Sequence, residues 1–299
     1  MAKLNWNTSN ITDQNGRVVI ITGATSGLGK EAAKVLASKN ATVVMAVRNT
    51  EKGALVAAEL KSTFPNAKID VRSLNLGSLS SVKDFAKGIN AAYDRLDILI
   101  NNAGVMTCPY SKTEDDFEIQ MGTNHLGHFA LTGLLMPLLK KTQASRIVAT
   151  SSIAHKQGKI DFEDINWQKR KYSTMQAYGD SKIANLYFAY ELANKLKDDP
   201  SAPRVTAAHP GWTSTELQRH SLMFRLFNPL FSQNVAQGVL PTLRAALDEH
   251  AKPGDYFGPA GFQELKGSPV VVKSIDLSHS DVNAKKLWAL SEELTGIQF

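Results

Sequence analysis

A single doubly wound parallel α/β domain is predicted by three features of the sequence. Short apolar runs alternate with longer stretches of helical period through the first two-thirds of the chain, the pattern of repeated βαβ units. The first strand-to-helix crossing carries a glycine-rich turn, Thr22-Gly23-Ala24-Thr25-Ser26-Gly27-Leu28-Gly29. A chain of 299 residues, 43% hydrophobic and 21% charged, also suffices for one large core.

The strands are expected at Val18–Thr22, Thr42–Val47, Lys68–Leu74, Leu96–Ile100, Arg146–Thr150 and Arg204–Ala208, with a short seventh at Asp255–Phe257. Helices are expected at Lys30–Lys39, Thr50–Thr63, Leu79–Tyr93, Asp115–Leu139, Gln176–Lys197 and Val235–Leu247. Right-handed crossovers put these helices on both faces of one sheet of about seven strands. No internal repeat or low-complexity linker divides the chain, so residues 1–299 read as one domain with a tail from about residue 258. One region breaks the alternation. Residues 213–232 carry Leu217, Leu222, Met223, Phe224, Leu226, Phe227, Leu230 and Phe231 just past the sixth strand, and read as a small helical lid over an apolar substrate. A plain pair of core helices and a membrane-surface helix are the alternatives there.

Composition excludes several classes. No apolar run approaches the roughly 20 residues that span a bilayer, and Met1 to Asp13 is polar, so a soluble cytoplasmic protein is expected. Cys108 is the sole cysteine, which rules out an intramolecular disulfide or a thiolate metal cluster from this chain. The histidines form no ligand-spaced group, so no metal is expected. The net charge of +6 is dispersed; its densest group, Lys169-Arg170-Lys171, is short and reads as a solvated face, not a nucleic-acid site.

The glycine turn suits a nucleotide phosphate. Gly23 permits a sharp exit from the strand, Gly27 lets backbone N–H groups approach a pyrophosphate, and Gly29 lets strand and helix pack closely. The helix N-terminus then presents free donors and a favourable dipole. Tyr178 and Lys182 stand four residues apart on one helical face, where an ammonium would stabilise a phenolate and lower its pKa. A tyrosine so tuned exchanges a proton with a carbonyl oxygen. Ser151 and Ser152 end the fifth strand at the ligand edge of the sheet, where a hydroxyl can hold that oxygen. Asn124, a mediocre helix former inside a helical stretch, marks a local kink with a bound water or an exposed polar position.

Taken together, Thr22-Gly23-x-x-x-Gly27-x-Gly29, Asn101-Asn102-Ala103-Gly104, Asn124, Ser151-Ser152, Tyr178-x-x-x-Lys182 and His209-Pro210-Gly211 resemble the short-chain dehydrogenase/reductase family, across about Val18 to Gly211. Within it the chain is similar to the retinol dehydrogenase and protochlorophyllide reductase group, through Gly29-Lys30-Glu31, Val47-Arg48-Asn49, Asn124-His125-Leu126-Gly127-His128-Phe129, Ser152-Ile153-Ala154-His155 and Lys286-Leu287-Trp288. The resemblance implies a Rossmann-type fold and a tetrad of Asn124, Ser152, Tyr178 and Lys182. In it Tyr178 exchanges the proton, Ser152 orients the oxygen, Lys182 holds the nicotinamide ribose and Asn124 anchors a water. It implies further that Gly23, Thr25, Ser26, Gly27, Leu28 and Gly29 cradle the cofactor, that Asn102, Ala103 and Gly104 floor the adenosine ribose, and that Pro210, Gly211 and Thr213 grip the carboxamide and diphosphate.

The cofactor expected is NADPH/NADP+. An acidic residue at the end of the second strand normally takes the ribose 2′-hydroxyl of NAD, and this chain has Arg48 there, with Lys52 one turn later, to meet a 2′-phosphate. Asn75, beside Leu76, stands where the family usually has an aspartate toward the adenine amine; its amide carbonyl can still accept that bond. The expected activity interconverts a small hydrophobic ketone or aldehyde and its alcohol, in a monomer or homodimer. Two alternatives are a protochlorophyllide reductase-like enzyme, which usually carries pocket cysteines and an added loop, and a non-catalytic NADPH-binding regulator, which a degraded tetrad would favour.

Overall fold

The structure, a computed structural model, describes residues 5–213 and 233–299. The lid read over residues 213–232 therefore lies, apart from Thr213, outside the described residues.

Eight strands form one sheet in the order β3-β2-β1-β4-β5-β6-β7-β8. They are β1 (Val18–Thr22), β2 (Thr42–Val47), β3 (Lys68–Ser73), β4 (Ile98–Asn101), β5 (Arg146–Thr150), β6 (Arg204–Ala208), β7 (Tyr256–Pro259) and β8 (Pro269–Val271). All neighbours are parallel except β7 and β8. The expected sheet of about seven strands thus gains an antiparallel eighth, three residues long and too short to leave a periodic signal. The order reverses between β1 and β4, and the crevice beyond their carboxyl ends is where an open α/β sheet binds its ligand.

Side chains alternate across the sheet. Val19 and Ile21 of β1 pack toward α1 (Gly27–Ser38) and α2 (Thr50–Thr63), while Val18 and Ile20 face α3 (Leu79–Ala92) and the helices that follow it. Both layers are closed, so the central strands are continuous apolar runs.

The helix expected at Asp115–Leu139 divides into three pieces. Asp115 is spent accepting the Leu79 N–H, and α4 (Ile119–Met121) starts only after buried Glu118, whose carboxylate accepts the N–H groups of Gln120 and Met121. The chain then widens into a π-helical turn, Gly122–Leu126, before continuing as α5 (Gly127–Lys141). The helix α6 (Thr174–Lys195) follows β5, and the segment expected at Val235–Leu247 splits into α7 (Val235–Gly238) and α8 (Leu240–Leu247).

The tail forms α9 (Asp281–Thr295), which ends on left-handed Gly296. Its Trp288 and the final Phe299 lie 5.1 and 5.0 Å from the Phe129 ring of α5, and Gly133 has no side chain to obstruct Phe299. The tail thereby covers α5 and α6 with apolar surface. No helix among the described residues is long and apolar enough to cross a membrane.

Candidate active site

The glycine turn fits a pyrophosphate on geometric grounds. Gly23 and Gly27 hold left-handed φ values of 70° and 52°, which cost other residues steric energy. A side chain at Gly29 would collide with the Gly23 carbonyl and lie 2.7 Å from Asn102 Nδ2. No side chain caps the N-terminus of α1 among the described residues, which leaves its first N–H groups, after Thr25 and Ser26, without a side-chain acceptor, while Leu28 is buried in the core.

Thr22, the last residue of β1, organises the opposite wall. Its hydroxyl accepts the N–H groups of Asn102 and Ala103, each at 2.9 Å, and its carbonyl accepts Asn102 Nδ2 at 2.8 Å. The loop 102–104 is thus fixed against the glycine turn. A Cβ at Gly104 would stand 3.0 Å from Asn124 Oδ1 and 3.6 Å from Lys182 Nζ, which places the loop directly against two tetrad positions.

Asn124 occupies the π turn. Its side chain bonds both polar groups of Val105, at 2.8 and 2.9 Å, and donates to Ser181 Oγ at 2.9 Å. It is fully buried in a π-helical turn, so the exposed alternative falls away. The serines at the end of β5 separate by role. Ser151 is buried and donates to the Lys182 carbonyl, whereas Ser152 starts a short turn, accepts the Ala154 N–H and stands near enough to the Tyr178 phenol to pull its pKa down. Lys182 Nζ lies 5.6 Å from the Tyr178 ring centroid and donates to Thr150 O at 3.3 Å. The structure therefore brings Asn124, Ser152, Tyr178 and Lys182 together at the ends of β4 and β5.

Their electrostatics differ from the sequence expectation. Burial pushes the Tyr178 phenol up to about 12, only partly opposed by Ser152, and pushes the Lys182 ammonium down to about 8. The ammonium was expected to pull the phenol down. In this closed interior the loss of water around the phenolate is the larger effect, and the phenol is protonated at neutral pH.

The remaining expected residues divide. Arg48 is exposed at the end of β2, and Asn49 caps α2 by accepting the Lys52 N–H at 2.7 Å, which sets Lys52 on the same rim. Asn75 is partly committed: its carbonyl accepts the Gly77 N–H and its amide donates to Glu114, leaving one lone pair for an adenine contact. Leu76 is buried against Gly127, where a side chain would strike its carbonyl. Pro210, Gly211 and Thr213 follow β6, with Gly211 left-handed and Thr213 donating to Pro210 O.

The sequence reading missed four supports. His128 bridges Thr22 Oγ1 and the Asn124 carbonyl, both at 2.9 Å, and burial holds it neutral by pushing it down to about 4. Since the carbonyl can only accept, Nδ1 carries the proton and Nε2 accepts from Thr22. Ser181 donates to Tyr178 O, and Asn185 donates to the same Thr150 carbonyl as Lys182. His155 donates from Nδ1 to Ser152 O at 2.7 Å. The i, i+4 spacing of Asn124 and His128 was the one available signal.

A nucleotide-cradling turn, a reversed strand order and a buried phenol–amine–hydroxyl cluster define a nicotinamide-dependent oxidoreductase. The family model described as short chain dehydrogenase matches residues 17–223, and the chain belongs to that family. It is 43% identical over 290 residues to retinol dehydrogenase 12 of Mus musculus, covering 95% of this chain and 88% of that one. Against retinol dehydrogenase 13 of Homo sapiens it is 40% identical over 292 residues, covering 95% and 86%. Among solved structures, an uncharacterized protein from Mycobacterium paratuberculosis superposes with a TM-score of 0.83 at 40% identity, over 98% of each chain. A short chain dehydrogenase from Shigella flexneri complexed with NADP gives 0.65 at 28% identity, over 81% of this chain and 96% of that one.

Proposed function

We propose that the protein is an NADPH-dependent reductase that interconverts a hydrophobic ketone or aldehyde and its alcohol, with Asn124, Ser152, Tyr178 and Lys182 as its working residues. The observation that carries this is the protonated Tyr178 phenol held beside Ser152 and Lys182 at the cofactor end of the sheet.

Bound NADPH supplies the hydride that reduces the carbonyl carbon. The Ser152 hydroxyl orients the carbonyl oxygen next to the phenol. Tyr178 stores the proton, and because an alkoxide is a stronger base than a phenolate, transfer to the developing oxyanion runs downhill. Lys182, held by Thr150 O and 5.6 Å from the Tyr178 ring, would stabilise the phenolate left behind and would hold the nicotinamide ribose. Asn124 holds the 102–105 loop through Val105 and would anchor the water of the proton relay.

Arg48 and Lys52 on the rim of β2, with no acidic residue at the strand end, support NADPH over NADH. The names of the retinol dehydrogenase relatives support an apolar substrate. An intact tetrad favours catalysis over a cofactor-binding regulator, and the single cysteine argues against the protochlorophyllide reductase alternative. A cytoplasmic location and a single domain over residues 1–299 belong to the same reading. So does a monomer or homodimer.

The test is NADPH oxidation across a panel of apolar aldehydes and ketones by wild type and Tyr178→Phe. The variant should bind NADPH as wild type does and lose at least about a thousandfold in kcat, within the span that a proton donor and its oriented site supply. Equal inactivity of both proteins, despite tight NADPH binding, would overturn the enzymatic reading.

A further inference from the structure

We propose that Glu264 is a positioning residue for the nicotinamide end of the cofactor site, acting through His209 on the Pro210–Thr213 segment. This rests on the reading that the segment grips the carboxamide and diphosphate.

His209 follows β6 and its side chain is fully buried. Its Nδ1 accepts the Gly211 N–H at 3.2 Å, and its Nε2 lies 2.8 Å from Glu264 Oε2. A backbone N–H can only donate, so Nδ1 is bare and the ring proton sits on Nε2, pointing at the carboxylate. One carboxylate thus fixes both the tautomer and the orientation of the imidazole that holds Gly211.

The surrounding backbone is shaped to deliver that carboxylate. Gln263 and Glu264 are both left-handed, with φ of 50° and 59°, in the turn between β7 and β8. Non-glycine residues in this conformation cluster where the structure over-determines them. A side chain at Gly258 would strike His209 Nε2, and one at left-handed Gly211 would strike Leu265 O and come within 2.8 Å of Glu264 O. The Trp212 N–H donates to Leu265 O at 2.8 Å, so the same turn also holds the residue after Gly211.

Glu264 reaches a second segment as well. Its Oε1 receives Lys156 Nζ at 3.3 Å, from the turn that Ser152 begins. Tyr256 of β7 and His155 complete the titratable surroundings, with the Tyr256 ring centroid 5.1 Å from His209 and 5.6 Å from His155. The carboxylate therefore ties the strand end bearing the proposed oxygen-orienting serine to the strand end bearing the cofactor loop.

Equilibrium binding separates this role from simple structural support. NADPH binding, followed by reduced-nicotinamide fluorescence, is compared with binding of adenosine 2′,5′-bisphosphate, which carries only the adenosine half. Glu264→Ala should raise the Kd for NADPH about tenfold, the scale of one charged hydrogen bond, and leave the fragment within about twofold. Glu264→Gln, which keeps an acceptor oxygen, should recover most of the loss, and Glu264→Asp, which is too short to reach, should not. The Gln and Asp pair carries the comparison if the alanine variant does not fold. Unchanged NADPH affinity in Glu264→Ala or Glu264→Asp, or equal weakening of NADPH and the fragment, would overturn the inference alone. Failure of wild type to bind NADPH would overturn the cofactor reading beneath it.

Discussion

His128→Leu should damage the site without touching any residue that meets substrate. The imidazole is 3% exposed and makes two hydrogen bonds, one to the hydroxyl that fixes the 102–104 loop and one to the carbonyl of Asn124. Leucine fills a similar volume but offers no polar atom. Thr22 keeps an alternative acceptor in Ile100 O at 3.4 Å, so its loss is the ordinary net value of one hydrogen bond, about 1 kcal/mol. The Asn124 carbonyl, buried beside the π turn, loses the imidazole N–H, and taking a partner from a buried polar group costs about 1–3 kcal/mol. The expected loss is about 2–4 kcal/mol in urea unfolding, with m unchanged. His128→Asn and His128→Gln, which can restore one of the two bonds, should fall between. In NADPH oxidation, kcat should drop with the re-aimed Asn124. A His128→Leu protein within about 0.5 kcal/mol of wild type, the usual scale for an unimportant surface change, would refute the reasoning.

Three further outcomes are expected. Acid should unfold the protein near pH 4 to 5: burial pushes His125 down to about 3 and both His128 and His155 down to about 4, so each takes its proton in the unfolded chain below about 6.5 but not in the folded one. By pH 4.5 this linkage removes about 3 kcal/mol per imidazole, while Asp180, raised by burial to about 6, is protonated first in the folded state and returns about 2 kcal/mol; circular dichroism that stays native to pH 3.5 would contradict this. Gly29→Ala should weaken NADPH binding at least about a hundredfold, because its Cβ meets backbone at Gly23, which cannot yield as a flexible side chain does; fluorescence titration reads it, and wild-type affinity would exclude the cradle. Arg48→Asp should lower the ratio of kcat/KM for NADPH to that for NADH about 10- to 100-fold, the value of a charged hydrogen bond to phosphate, and an unchanged ratio would remove Arg48 from cofactor choice.

The parts legible in the sequence are those whose cause is local. Val18–Thr22, Thr42–Val47, Arg146–Thr150 and Arg204–Ala208 fall at their expected bounds because residues buried on both sheet faces form unbroken apolar runs. The helix Thr50–Thr63 does too, because Asn49 caps it. What escaped depends on contacts across the chain. Thr22 and His128 are 106 residues apart, and no periodicity announces their bond. The Lys169-Arg170-Lys171 group read as a solvated face, yet the Arg170 guanidinium stacks 3.6 Å above Trp167 and faces buried Asp180 and Asp164. The tail helix α9 carries only scattered apolar positions, and its Trp288 finds a place because Phe129 and Phe188 meet it from α5 and α6. The Tyr178 shift reversed for the same reason: residue spacing records the neighbouring charge, but not how much water the fold removes.

The π turn explains why neighbouring polar residues can serve different parts of the fold. In a regular α-helix, Asn124 and His128 would be held by the backbone ladder one turn apart, with the Asn124 carbonyl taken by the N–H of the residue four places on. Here the ladder widens where the Gly122 carbonyl takes the Gly127 N–H five places on, and the Asn124 carbonyl accepts the N–H of the His128 ring. His125 points elsewhere, to Ser291 of α9 at 2.9 Å, while Asn124 reaches into the 102–105 loop. Asn124 and His125 of this turn, with His128 just beyond it in α5, thus connect the glycine turn, the Tyr178–Lys182 cluster and the C-terminal helix through neutral groups. Neutral links suit the proposed chemistry, in which a further charge would compete with Lys182 for the Tyr178 phenolate, whereas an uncharged imidazole fixes geometry and would leave the proton transfer to the phenol and amine.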